Sequence, residues 1–187
     1  MLQEIFGGKL IDPKLGFNAL SGDQKVMIAG IAAGFAGLLS LFNIGGRFFW
    51  ASLSDYIGRK NTYYTFFVLG IICYLLMPWS ANAGSKAVFV GAVCIILSMY
   101  SGGFATVPAY LANMFGTQFV GAIHGRLLTA WSTAGIIGAV VVNYIREAQR
   151  AAGVPRDHLY DYTLYILAGM LVIGLISWSS PSIRSGT

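Results

Sequence analysis

NIGGRFFWASLSDYIGRK, residues 43–60, decides how this chain folds. The stretch opens inside an apolar run, carries one arginine there, Arg47, and closes on the polar group Asp55, Gly58, Arg59 and Lys60. A long apolar run with such an end reads as a helix leaving a bilayer. Gly58 suits the helix C-terminus, while Arg59 and Lys60 complement the negative end of the helix dipole and anionic headgroups.

The composition outside this stretch agrees. The chain is 56% hydrophobic and 10% charged, with a mean hydropathy of +0.68, against roughly 45–50% apolar and about 25% charged residues in a soluble domain. A membrane span needs about 20 mostly apolar residues, and five segments qualify: residues 26–53, 62–79, 87–115, 127–145 and 162–180. The predicted fold is an all-α integral membrane helical bundle, with the lipid bilayer as its first partner. Residues 1–25 contain FGGKLIDPKLGF and SGDQK, turn-rich segments without the basic start and cleavage site of a signal peptide, and are predicted to form an external loop. Tyr63, Tyr64, Trp79, Tyr144, Tyr160, Tyr162 and Trp178 fall near predicted boundaries, as interfacial aromatics do.

The net charge of +5 does not signal a nucleic-acid partner, because the basic residues are scattered singly rather than gathered on one face. Cys73 and Cys94 lie in apolar runs and read as small buried hydrophobes, not metal ligands. No G-x-S-x-G or H-E-x-x-H pattern occurs, so nothing suggests an enzyme, a metal site or a cofactor. His124, beside Gly125 and Arg126, reads as interfacial, and residues 146–161, which include His158, read as a solvated loop.

Three spans carry polar side chains at helical spacing: Ser40, Asn43, Arg47 and Ser54 in the first, Gly103, Thr106, Tyr110 and Asn113 in the third, Thr129, Ser132 and Asn143 in the fourth. Two readings fit such stripes, a wet cavity or hydrogen bonds between helices, and their recurrence on three spans favours the cavity. YSGGFATVPAY, residues 100–110, adds an expected bend: Pro108 leaves the Phe104 carbonyl without a donor, and Gly102 and Gly103 admit a close neighbour. Interrupted helices mark many transporter sites, and a bend without ligand contact reads equally well.

Arg47 is the costliest of these residues. It precedes Asp55 by eight positions, which places it about 12 Å below the surface, where an arginine costs about 2.5–3.5 kcal/mol to insert. None of the seven acidic residues lies inside another span. The missing counter-charge points to an anion as ligand, and the planar guanidinium fork suits a carboxylate. The alternative is a structural arginine bonded to carbonyls.

Ala51, Asp55, Gly58, Arg59 and Lys60 resemble the G-x-x-x-D-x-x-G-R-[RK] signature of major facilitator superfamily transporters, with Ala51 at the first glycine. GGFATVPAYLANMFG, residues 102–116, and GAIHGRLLTAWSTAG, residues 121–135, together with residues 43–61, resemble the second half of the oxalate/formate antiporter family within it. The resemblance implies a C-terminal half, helices eight to twelve, lacking helix seven and the N-terminal half. It further implies a secondary transporter of small carboxylates such as formate, lactate or oxalate, with Arg47 as the substrate-binding arginine of helix eight; Asn43, Thr106 and Tyr110 of the polar stripes, and Trp131, are the further candidate substrate contacts. Asp55, Gly58, Arg59 and Lys60 would form a gating motif. In the family a lysine on helix eleven serves oxalate; alignment on LLTA, residues 127–130, puts Trp131 there, which favours a monocarboxylate. Asn113 stands where the family has an aspartate. Family topology puts Arg59, Lys60, Arg126 and Arg184 inside and Lys9, Lys14, Lys25, Lys86, Arg146, Arg150 and Arg156 outside, an inner or plasma membrane orientation that runs against a plain count of positive charges. The rival is a non-transporting membrane scaffold or truncated product.

Overall fold

A computed structural model describes residues 21–154 and 158–179. Within them the chain forms α1 (Gly22–Ile57), α2 (Arg59–Asn82), α3 (Lys86–Phe115), α4 (Val120–Ala151) and α5 (Asp161–Ser179). All five are long and apolar enough to cross a membrane, and the protein is a multi-pass integral membrane helical bundle.

The first four helices contain their predicted spans and α5 covers 162–179 of its own; most overrun the prediction, because polar residues excluded from hydrocarbon still extend a helix beyond it. α1 starts at Gly22, inside the segment predicted as a loop: the Ser21 hydroxyl accepts from the Gln24 amide and the Gln24 side chain accepts from the Ser21 amide, a capping box of the kind worth about 1 kcal/mol. The rest of that loop, residues 1–20, lies outside the described residues, as does Ser180. α4 runs on to Ala151, so residues 146–151 are helical where a solvated loop was predicted. α1 ends and α2 begins on either side of Gly58, whose φ of 84° an L side chain rarely adopts. The Gly58 carbonyl accepts from the Thr62 amide at 3.1 Å and its hydroxyl at 3.0 Å, anchoring the new helix.

α3 is the hub. It packs most closely on α1, then on α2, and touches α4 along a thinner seam, while α5 leans on α2. The buried core, Cys73, Met77, Ala81, Phe89, Ala92 and Leu164, sits where α2, α3 and α5 meet. Cys73 and Cys94 are both buried free thiols. No residue of α4 is buried among the described residues, so this helix presents most of its surface outward.

Candidate functional site

The site begins with the α1–α3 seam. A side chain at Gly46 would overlap the backbone of Ser98, and one at Gly102 would overlap Trp50. These two glycines let the helices approach closely, as small residues do between membrane helices. The Trp50 Nε1–H donates to Ser98 Oγ at 3.2 Å, and Ser98 passes its own hydrogen to the Ile95 carbonyl at 2.8 Å. Asn43 and Arg47, one turn apart on α1, are thereby brought against α3.

Arg47 Nε–H donates to Ser101 Oγ at 3.1 Å, and Ser101 donates to the backbone carbonyl of Asn43. Ser101 is 1% exposed, so water does not compete for this pair of bonds. The Arg47 side chain lies on an exposed face of the described bundle, and among the described residues no carboxylate pairs with it. Beside it Ser40, Asn43, Leu39, Ile44 and Leu97 line an open groove of about 340 Å³. Ser40 bonds back to Ala36 and Ser54 to Ala51, so those two members of the α1 stripe serve their own helix.

On the other flank of α3, Trp131 of α4 donates its indole N–H to Tyr100 OH at 3.2 Å. Its ring meets Tyr100 edge-on at 5.2 Å and Phe104 edge-on at 4.7 Å, and His124 adds a further edge contact to Phe104 at 6.4 Å. Residues 97, 101, 104 and 108 share one face of α3 at helical spacing. That face lies between Arg47 on α1 and Trp131 on α4, and it carries Ser101, Phe104 and Pro108. α3 runs through Pro108 as one continuous helix, with one backbone hydrogen bond missing there because proline has no N–H.

Thr106 and Tyr110 lie elsewhere. Thr106 is five residues past Ser101, 140° around the helix, and faces α2. Its hydroxyl is within 3.0–3.2 Å of the carbonyls of Gly102 and Gly103 and of Tyr63 OH, which in turn donates to Gly103 at 3.3 Å. Tyr110 joins Tyr63 and Trp178 in an aromatic cluster, with centroids 5.4 and 5.8 Å away. The structure therefore does not bring these two residues to Arg47. Spacing shows which residues share a stripe, but only packing shows which neighbour the stripe meets. Thr129 and Ser132, on α4, bond back to Arg126 and Leu128 of their own helix. Ser101, Tyr100 and Phe104 escape sequence reasoning because they belong to no polar stripe.

A larger groove, about 580 Å³, opens between α1 and α2 over α3, but its wall is Leu41, Phe42, Phe49, Trp50, Leu69 and Ile95, with no charged group. It offers an anion nothing. At the end of α1, Asp55 and Arg59 pair across Gly58 at 3.4 Å, with Asp55 largely exposed; Lys60 follows in the first turn of α2.

A family model described as Major Facilitator Superfamily matches residues 13–139. The chain belongs to the Major Facilitator Superfamily. It is 30% identical over 133 residues to an oxalate:formate antiporter of Oxalobacter formigenes, covering 71% of this chain and 31% of that protein. It is 33% identical over 92 residues to the glucose transporter GlcP of Staphylococcus epidermidis, covering 49% of this chain and 20% of that one. The chain thus spans less than a third of the curated relatives it matches. No solved structure matches it. Within this superfamily member, the Asp55–Lys60 segment and Arg47 both fall inside the matched region.

Proposed function

We propose that the protein forms helices eight to twelve of a twelve-helix secondary transporter that moves small carboxylates by alternating access around Arg47. The carrying observation is that Arg47 has one guanidinium edge bonded to neutral Ser101 and, among the described residues, no acidic mate. A permanent charge in hydrocarbon needs water, a partner or an anion, and a carboxylate matches its fork. The similarity to an oxalate:formate antiporter supports the same class. A neutral sugar, the substrate named for the glucose transporter, would supply no counter-charge.

Trp131 with Tyr100 and Phe104 forms an aromatic wall opposite Arg47, with Asn43 at the rim. With an aromatic wall in place of a second cation, a monocarboxylate such as formate or lactate is preferred over oxalate. Thr106, Tyr110, Gly102, Gly103 and Pro108 shape α3 rather than contact substrate in this reading. Asp55, Gly58, Arg59 and Lys60 act as a gate at the inner surface of an inner or plasma membrane. The N-terminal half is the partner that closes the path.

Uptake of labelled formate and oxalate into proteoliposomes tests this. Transport is expected when the complementary half is supplied and not from these 187 residues alone. Full uptake by Arg47→Gln at subsaturating substrate would refute the proposal. A second reading, a membrane protein without transport activity, draws on the short span relative to its relatives; it predicts no uptake even with a complementary half.

A further inference from the structure

A guanidinium offers a carboxylate two edges with paired N–H groups, the side edge formed by Nε with one Nη and the end formed by Nη1 with Nη2. In this protein the side edge is taken. Arg47 Nε–H donates to Ser101 Oγ at 3.1 Å. Ser101 has a single hydrogen, and it goes to the carbonyl of Asn43, one turn before Arg47 on α1. The hydroxyl can therefore meet Arg47 only as an acceptor, which is the role a cation requires. Because Ser101 is 1% exposed and sits on α3, it ties the guanidinium to the hub helix through a bond shielded from solvent. The interlock of Gly46 with Ser98 and of Gly102 with Trp50 fixes the helix separation over which that bond forms.

We propose that Ser101 is a positioning residue that commits Arg47 to end-on capture of its anion: it holds Nε, so that the Nη1–Nη2 edge receives the carboxylate. The inference rests on the reading of Arg47 as the anion-binding group. Ser101 does not touch the substrate. It removes one of two binding geometries and lowers the ordering cost of the other, since a long flexible side chain otherwise loses rotamer freedom on binding.

Formate binding to the reconstituted protein, followed by NMR of ¹⁵N-labelled arginine side chains, tests the role. In the unmutated protein the Arg47 Nε–H, assigned by its disappearance in Arg47→Lys, exchanges slowly with water, and formate shifts the Nη signals more than Nε. Ser101→Ala speeds Nε exchange and weakens formate binding about tenfold, and Ser101→Thr, which keeps the hydroxyl, restores both. In the Arg47→Lys background, which has no Nε–H to hold, Ser101→Ala produces no further loss, a result a merely structural serine would not give. Should Ser101→Ala fail to fold, Ser101→Cys, close in size and a weak acceptor, carries the same expectation. Unchanged formate affinity in Ser101→Ala and Ser101→Cys, with affinity lost in Arg47→Gln, overturns the role of Ser101 and leaves the anion reading standing. Undiminished binding in Arg47→Gln, or none to the unmutated protein, overturns the anion reading and the role of Ser101 with it.

Discussion

Two polar groups lie on different sides of α3, Thr106 of that helix and Arg47 of α1 held to Ser101, and they differ in what they leave undone. Around Thr106 the accounts close: its hydroxyl, Tyr63 OH and the carbonyls of Gly102 and Gly103 bond one another, and Thr106 is 2% exposed. Around Arg47 one edge is bonded, to Ser101, and among the described residues no carboxylate faces the remainder. A satisfied polar group inside a membrane protein holds helices together, whereas a charge satisfied on one side only is poised for something that comes and goes. On the proposed reading, the difference separates a structural group from a substrate-binding one on two sides of α3.

Mutations break or sharpen this contrast. The largest effect is expected at Arg47: Arg47→Gln should lower carboxylate uptake at subsaturating substrate by about 100-fold, or about 2.7 kcal/mol, with helix content by circular dichroism unchanged. Gly102→Val should act on folding instead, because its side chain would enter the space of Trp50; a loss of about 2 kcal/mol is expected, read as a lowered melting temperature in detergent. Trp131→Lys places a second cation opposite Arg47 and should shift the oxalate-to-formate preference about tenfold toward oxalate, measured by competition in uptake. Smallest is Thr106→Val, expected to cost about 0.6 kcal/mol of stability while transport stays within about twofold. A transport defect in Thr106→Val comparable to that of Arg47→Gln would erase the contrast.

The five helices are legible from apolar run lengths, and the oddity of Arg47 from the absence of an acid in any other span. What periodicity does not carry is direction. Gly103, Thr106 and Tyr110 form a true stripe, yet it faces α2 and α5 because α3 is rotated so that Gly102 meets Trp50 and Ser101 meets Arg47. That rotation is fixed by contacts between residues about 50 positions apart, which no local window contains. Ser101 itself gives one weak signal: it lies with Gly102 and Gly103 in a run of small residues, the composition of a close helix crossing. Apolar run length stops short of the helix ends where polar residues continue a helix past the hydrocarbon, at Gly22 through Lys25 and again at residues 146–151.

The joint at Gly58 is a single residue long, with helix on both sides. Adding or removing one amino acid there would turn the whole of α2 by about 100° and shift it by about 1.5 Å relative to α1. Phe66 would leave Trp50, which it meets at 4.8 Å, and Tyr63 would leave Tyr110 and Trp178. Chain length at this elbow therefore sets the azimuth of a neighbouring helix, so a change there that a slack loop would absorb instead dismantles an aromatic contact more than a turn away.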